Sequence, residues 1–132
     1  MALDDELLTM LRGRALCFLA TTMPDGSPQI TETWVDADEA GEHIVINTVG
    51  GFQKVRNIER DPRVAVAIAD PANPTRYIQV RGEVVQTTTE GGAEHIDAMS
   101  QKYTGKPYPW YGGRDQERIV LTISPKKTHR QG

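Results

Sequence analysis

Cysteine and histidine are scarce in this chain, and their scarcity excludes several kinds of chemistry. Cys17 is the only cysteine among 132 residues, so no disulfide forms within the chain, and its apolar neighbours predict a buried strand position rather than a nucleophile. The three histidines, His43, His95 and His129, stand far apart in the sequence. A metal site needs three or four converging ligands, and no second ligand pair accompanies His95 and Asp97. We therefore expect no metal centre.

Several functional motifs are also missing. There is no Gly-x-Gly-x-x-Gly motif, no Walker-type loop and no Gly-x-Ser-x-Gly elbow, which argues against a dinucleotide-binding fold, a P-loop and a hydrolase. No apolar run approaches the roughly 20 residues of a membrane span, and no basic and then apolar leader opens the sequence. The formal charge of −3 disfavours nucleic acid as the main partner. We expect a cytoplasmic protein that binds neither membranes nor nucleic acid.

Most of the sequence consists of short apolar segments separated by turns. They predict six strands, at 15–22, 28–35, 43–48, 63–69, 76–88 and 118–124, and three short helices, near 3–12, after Gly51 and at 92–103. The early strands are joined by turns too short for crossover helices, so the fold class is mainly β (α+β), an antiparallel barrel with helical additions. We expect residues 1–132 to form a single domain, with 126–132 as a flexible tail.

The segment 47–64 carries the strongest functional signal. Glycines end a strand, a short basic helix follows, and a second strand begins. Lys54 lies in the first helical turn, where a cation opposes the helix dipole at a cost of about 0.3–1 kcal/mol. Free N–H groups at a helix start, together with Lys54 and Arg56, suit a bound phosphate or carboxylate. The alternative is a solvated helix whose cations pair with Glu59 and Asp61.

A bound flavin-like cofactor would explain the absence of catalytic motifs. Its ring carries the hydride, and the protein supplies phosphate anchors, hydrogen bonds to the ring edge and a wall that places the substrate. The candidates for these parts are the anchors Lys54, Arg56 and Asn57, the ring-edge partners Gln29, Thr31 and Thr48, and the loop aromatics Tyr103, Tyr108, Trp110 and Tyr111. Ordinary surface packing is the alternative for the loop aromatics.

Ordered motifs along nearly the whole chain resemble a known family. They lie at 18–22 (FLATT), 25–30 (DGSPQI), 33–35 (TWV), 46–48 (INT), 54–58 (KVRNI), 60–64 (RDPRV), 80–84 (VRGEV) and 102–105 (KYTG). Together they resemble the split β-barrel proteins related to pyridoxamine 5′-phosphate oxidase, and more narrowly the flavin/deazaflavin oxidoreductases of the B group, which use coenzyme F420. The resemblance implies a six-stranded antiparallel split β-barrel with short helices, of the FMN-binding split-barrel type. It also implies a homodimer with two cofactor sites at the subunit interface.

The same resemblance assigns roles to individual residues. It implies that Lys54 and Arg56 hold the cofactor phosphate with support from Asn57. The residues implied to line the ring are Gln29, Ile30, Thr31, Asn47 and Thr48. We further expect Arg60 to meet the acidic glutamate tail of F420 and Trp110 to reach the cofactor face. Tyr103 and Tyr111 are the candidate proton donors, since no other side chain stands out as a general acid.

Three functional hypotheses remain open at this point. The first is an F420-dependent reductase that delivers a hydride to a small electron-poor acceptor, such as an activated C=C bond or a quinone-like compound. The second is a non-catalytic F420-binding or carrier protein, and the third is an FMN-binding oxidoreductase of the pyridoxamine phosphate oxidase type. Those oxidases have Ser-Arg-Lys at the phosphate anchor, whereas this chain has Phe52-Gln53-Lys54 and no basic motif at 32–34. Each lost charge-assisted hydrogen bond is worth roughly 1.5–3 kcal/mol, which favours F420 over FMN.

Overall fold

The structure, a computed structural model, describes residues 3–131 as three helices and one antiparallel sheet. The strands are β1 (Leu16–Thr22), β2 (Pro28–Thr33), β3 (Asp36–Ala37), β4 (Ile44–Val49), β5 (Arg63–Asp70), β6 (Asn73–Thr88) and β7 (Arg118–Gln131). The helices are α1 (Asp5–Arg12), α2 (Gln53–Arg60) and α3 (Gly92–Thr104). The sheet order is β2-β1-β5-β6-β7-β4-β3, and every neighbouring pair is antiparallel. The six predicted strands and three helices are present, and the two-residue β3 is a seventh strand too short to show alternation.

The long strands β6 and β7 each serve two halves of the sheet, which produces the split barrel. The first half of β6 pairs with β5 and with the end of β7, while its second half pairs with the start of β7, beside β4. The register of β6 against β7 shifts between Arg81 and Gly82, where the strand bends. A Cβ at Gly82 would lie 2.3 Å from the carbonyl oxygen of Ser124, so the bend requires glycine.

The expectation of a flexible tail is wrong for residues 126–131. Strand β7 continues to Gln131, and its last residues pair with residues 77–81 of β6. Side chains in this part of β7 are exposed, so their polar character reflects solvent contact rather than disorder. Arg130 also forms ion pairs with Asp4 and with Glu6, the latter at 2.8 Å. Residue 132 lies outside the described residues.

The core lies between the sheet and the two helices α1 and α2. Its fully buried members are aliphatic, among them Leu7, Leu11, Leu19, Ile44, Ile46, Ile68, Ile78, Leu121 and Ile123. Cys17 belongs to this core, and burial raises the pKa of its thiol to about 11, which keeps it protonated and unreactive. Within residues 3–131, no helix has the length and apolar character needed to cross a membrane.

The opposite side of β1 and β5 is apolar but not covered. Residues that pair directly across antiparallel strands share a face, and Phe18 pairs with Ala67, Ala20 with Ala65, and Leu16 with Ala69. Ile30 of β2 joins them opposite Ala20 and is 67% exposed. We call these residues the alanine face: Leu16, Phe18, Ala20, Ile30, Ala65, Ala67 and Ala69.

Candidate functional site

A cleft of about 560 Å³ opens between β2, β4, the start of α2, α3 and the loop before β7. Its volume lies within the range of small-molecule and cofactor sites, about 300–1,000 Å³. The lining combines aromatic and aliphatic walls with a few polar groups: Arg14, Ala15, Leu16, Thr31, Glu32, Thr33, Trp34, Asn47, Thr48, Val49, Phe52, Lys54, Ile96, Tyr103, Tyr108, Tyr111 and Arg118. Polar groups that converge in an otherwise apolar cleft make it the candidate functional site.

Lys54 enters the cleft from the first turn of α2 and is only 7% exposed. The turn before it contains Gly51 at φ +87°, and the cap residue Phe52 contributes no side-chain hydrogen bond. The first turn of α2 has no acidic residue. Lys54 Nζ lies 4.9 Å from the centroid of the Phe52 ring, and across residues 3–131 it has no hydrogen bond or ion pair. The helix start therefore presents uncapped N–H groups and a buried cation together.

Arg118, the first residue of β7, is a second cation in the cleft wall. A third, Arg14, is exposed, and its Nε donates to the carbonyl oxygen of Lys102 at 3.1 Å. The Nε of Arg118 donates to Oδ1 of Asn47 at 2.8 Å, and its guanidinium lies 5.4 Å from the centroid of the Tyr108 ring. Burial lowers the pKa of Lys54, and the charge of Arg118 lowers it further. Burial also lowers the pKa of Arg118. Neither cation forms an ion pair with a carboxylate anywhere in the described chain, so the cleft holds a positive charge that an anionic ligand would neutralise.

The side-chain amide of Asn47 connects three elements of the cleft wall. It is 8% exposed, and its Nδ2 donates to the carbonyl oxygen of Gly92 at 2.9 Å while lying 3.0 Å from His95 Nδ1. Burial lowers the pKa of His95, which favours the neutral imidazole that can accept this hydrogen bond. Because its oxygen accepts from Arg118, the amide links β4, α3 and β7. Asn47, which the resemblance implied to line the cofactor ring, lies in the cleft wall, and its amide is already engaged by protein partners.

The predicted ring-edge residues divide between the cleft and its support. Thr31 and Thr48 line the cleft, and Thr48 is 4% exposed. Gln29 does not line it. Its Oε1 accepts from Thr21 at 2.7 Å, and its Nε2 donates to Thr31 Oγ1 at 2.8 Å, so it orients Thr31 from behind. Ile30 points to the alanine face and lies outside the cleft.

Three predicted residues of α2 also lie outside the cleft. Asn57 is fully buried and donates to Thr21 Oγ1 at 3.0 Å, which fastens α2 to β1. Arg56 is exposed and donates to the carbonyl oxygen of Gly51 at 3.2 Å, closing the turn that precedes the helix. Arg60 donates to the carbonyl oxygen of Thr22. Their geometry supports the helix that carries Lys54 rather than a direct contact in the cleft of this chain.

The aromatic residues form two groups on the cleft wall. Trp34 and Tyr103 stack with ring centroids 5.3 Å apart and an interplanar angle of 10°. The Tyr103 hydroxyl donates to the carbonyl oxygen of Ala15 at 2.6 Å, and burial raises the pKa of Tyr103 to about 12.

The second group belongs to the loop between α3 and β7. Tyr108 lies edge-on to Tyr111 and to Trp110, and Tyr111 is 82% exposed. Trp110 does not line the cleft. It sits at φ 55° with the Arg114 guanidinium 5.0 Å from its ring.

Sequence reasoning missed Arg118, because a single arginine ahead of an apolar strand is common in proteins of any function. Only the register of β4 against β7, which pairs Val49 with Arg118, brings it beside the turn into α2. No such long-range pairing can be deduced from one sequence. Within residues 3–131, no three His, Cys, Asp or Glu side chains converge in a way that would hold a metal ion.

The antiparallel split barrel defines the fold class of the protein, and comparison with known proteins gives the family. The chain belongs to the pyridoxamine 5′-phosphate oxidase family, whose model matches residues 3–132. A solved F420 reductase is 28% identical, with a TM-score of 0.83 over 96% of this chain and 98% of that one. A conserved hypothetical protein from Mycobacterium tuberculosis is 25% identical, with a TM-score of 0.77 over 99% of this chain and 85% of that one. A Listeria innocua protein whose name also refers to pyridoxamine 5′-phosphate oxidase shares the fold at 20% identity, with a TM-score of 0.71 over 96% of this chain and 95% of that one.

Proposed function

We propose that this protein is an F420-dependent oxidoreductase that transfers a hydride from the reduced deazaflavin to a small electron-poor organic acceptor. The observation that carries the proposal is a pair of cations, the buried Lys54 and the half-buried Arg118, that line one cleft and form no ion pair with a carboxylate within residues 3–131. The similarity to an F420 reductase over nearly the full length of both chains supports the choice of cofactor.

The residues present fit the chemical groups of such a cofactor. Lys54 and Arg118 would hold its phosphate, and the hydroxyls of Thr31 and Thr48 would meet the polar edge of its ring. Trp34 supplies an aromatic wall, backed by the stacked ring of Tyr103, for a planar ring or substrate. When bound, reduced F420 supplies the hydride from carbon C5 of its ring. The protein contributes binding, orientation and exclusion of water, and needs no nucleophile.

Of the two tyrosines considered as donors of the proton that accompanies the hydride, Tyr103 is the less suitable. Tyr103 already donates its hydroxyl proton to Ala15, and its pKa of about 12 makes proton release unfavourable. In the described part of the chain the Tyr111 hydroxyl makes no hydrogen bond, and its ring lines the cleft. We propose Tyr111 or solvent in the open cleft as the source of the proton.

FMN is the competing cofactor, since the family is named for an FMN-type oxidase, and two side chains oppose it. Gln53 occupies the position before Lys54 and brings no charge, because its amide is bonded to Asn57 and Arg56. Glu32 places a carboxylate at the cleft rim. A phosphate monoester carries up to two charges and needs more cations than a phosphodiester does, so this cleft favours the phosphodiester of F420.

We also propose that the protein is a homodimer that buries the alanine face. An exposed apolar sheet surface is typical of an interaction site, and small side chains allow two sheets to approach closely. Leu16 belongs both to this face and to the cleft lining, so a second copy docked there would reach the cleft. Ala67→Glu, at the centre of the face, should convert the dimer to monomer in light scattering. A wild-type monomer, or a variant that remains dimeric, would contradict this assembly.

The activity is tested by mixing the protein anaerobically with reduced F420 and a panel of acceptors: a quinone, an enone and a nitroaromatic compound. Protein-dependent recovery of the oxidised deazaflavin absorbance with any acceptor supports the reductase. Reactions without protein, and reactions with Lys54→Met, are the controls. Tight F420 binding without turnover of any acceptor would instead support a carrier protein, and failure to bind F420 would refute the proposed function.

A further inference from the structure

We propose that Arg118 is the second anchor of the cofactor phosphate, that it shares this anion with Lys54, and that Asn47 is the positioning residue that orients it. The inference rests on the proposed function and deepens it, because it assigns a binding role to a residue outside the motif that carries Lys54.

The backbone places Arg118 beside the turn that leads into α2. Arg118 pairs with Val49, and the next backbone contact joins Gly50 N to the Glu117 carbonyl oxygen at 3.0 Å. Backbone pairing therefore joins the start of β7 to the glycine turn. Both cations line the same cleft, and they are close enough for the charge of Arg118 to lower the pKa of Lys54.

The side chain of Arg118 is oriented by a neutral group. Arginine in a protein interior usually pairs with a carboxylate, which fixes the guanidinium but also neutralises it. Here Asn47 Oδ1 fixes it at 2.8 Å and leaves the charge uncompensated. Asn47 itself is held by Gly92 and His95. An amide in this place keeps the orientation of the guanidinium and leaves its full charge to a ligand.

Helix α3 packs closely against the backbone of Arg118 at Gly92. A Cβ at Gly92 would lie 2.2 Å from the Arg118 carbonyl oxygen, so this contact requires glycine. The carbonyl of the same glycine accepts the hydrogen bond from Asn47. One residue thus fixes both the backbone and, through Asn47, the side chain of Arg118, as expected of a group whose position must be accurate.

The acidic groups around the cleft leave both cations free. Glu32 lies at the rim and is exposed, and the exposed Glu117 side chain lies next to Gly50. In the described chain neither one forms an ion pair with Lys54 or Arg118. Lys54 is buried and Arg118 is half-buried, so the two like charges repel each other, and an anion between them would relieve both the repulsion and the loss of solvation.

The competing interpretation is that Arg118 only packs on Tyr108 to hold the loop before β7. The two interpretations differ in which ligand is affected when the charge is removed. A phosphate anchor acts on F420 but not on the phosphate-free deazaflavin riboside, whereas a loop support acts on both.

The test is a set of fluorescence titrations of F420 and of the phosphate-free riboside against wild type, Arg118→Gln, Arg118→Lys and Asn47→Ala. We expect Arg118→Gln to weaken F420 binding at least tenfold and riboside binding less than twofold. Arg118→Lys should recover part of the loss because it restores the charge. Asn47→Ala should weaken F420 binding at least threefold with the riboside unchanged. Arg114→Gln removes an exposed cation outside the cleft and is the matched control, with less than twofold change for either ligand.

A double-mutant cycle tests whether the anion is shared. If Lys54 and Arg118 hold one phosphate, the combined Lys54→Met and Arg118→Gln variant should lose less F420 affinity than the product of the two single losses. Independent, multiplicative losses would overturn the shared anchor. Equal losses for F420 and the riboside in Arg118→Gln, or no loss for either, would overturn the anchor role itself.

The outcome remains decisive if the proposed function fails. Should wild type not bind F420, the same variants are compared in thermal unfolding with inorganic pyrophosphate. Stabilisation of wild type that is lost in Arg118→Gln and kept in Arg114→Gln would retain the anion site while the F420 proposal falls. Equal responses of wild type and Arg118→Gln would remove the inference as well.

Discussion

Replacing Lys54 by methionine should separate binding from stability, because the lysine is buried without a partner. Methionine keeps the length of the side chain and its contact with Phe52 but removes the charge. In the folded protein, burial and Arg118 lower the pKa of Lys54, so its charged form is less favourable there than in the unfolded chain. Losing that charge should raise the free energy of unfolding by about 0.5–1 kcal/mol. This corresponds to a Tm increase of roughly 2–5 °C for a domain of this size.

The same substitution should impair cofactor binding. A hydrogen bond to a charged group contributes about 1.5–3 kcal/mol, so F420 affinity should fall by roughly 10- to 150-fold. Both quantities are measured on the same samples, by thermal unfolding without ligand and by fluorescence titration with F420. Lys126→Met, which removes an exposed lysine from β7, is the control and should change neither. A Tm that falls by several degrees together with unchanged F420 affinity would show that Lys54 stabilises the fold and does not bind the cofactor.

The remaining predictions concern the support of the site and its pH dependence. Asn57→Ala should lower the free energy of unfolding by about 1–3 kcal/mol in urea denaturation, because it leaves Thr21 without the amide that fastens α2 to β1; an unchanged midpoint would contradict this. Gly82→Ala should cost about 1–3 kcal/mol in the same assay, since its Cβ would meet the Ser124 carbonyl oxygen, and a neutral effect would mean that the bend tolerates a side chain. F420 affinity should decline as pH rises through the lowered pKa of Lys54, below its ordinary value of 10.5, and Lys54→Met should lack this decline.

Most helices and strands could be predicted from the sequence, but the pairing of strands that are far apart in the sequence could not. Alternation of apolar and polar residues located β2, and short apolar runs bounded by turns located β1, β4 and β5. The end of β7 was missed because exposed residues there are held by backbone pairing with β6, which leaves no apolar pattern.

In the candidate site, too, only the residues whose signal is local in the sequence could be predicted. Lys54 was found because glycines and a basic helix are adjacent in sequence, whereas Arg118 reaches the cleft only through the pairing of β4 with β7. Asn57 and Arg60 share the basic motif with Lys54, but a helix turns its successive residues to different sides. The motif therefore contains both the buried lysine of the cleft and the residues that hold its helix to β1.

The neutral amide of Asn47 orients Arg118 without cancelling its charge, and this determines the net charge of the cleft. With an acid at position 47, the cation pair would be reduced to one net charge. With the amide of Asn47, Lys54 and Arg118 both keep their charge in a partly buried setting, where each charged hydrogen bond is stronger than in water. We expect affinity for an anion and a mild loss of stability as two consequences of the same arrangement.

Side-by-side titration of the purified protein with F420 and with FMN, followed through tryptophan fluorescence, measures which of the two cofactors the cleft prefers. Trp34 lines the cleft and Trp110 lies in the adjoining loop, so a planar ring bound in the cleft should quench the emission. We expect saturable quenching by F420 at micromolar concentrations and at least tenfold weaker binding of FMN. Tighter binding of FMN, or no saturable response to F420, would show that the protein is not an F420-dependent enzyme.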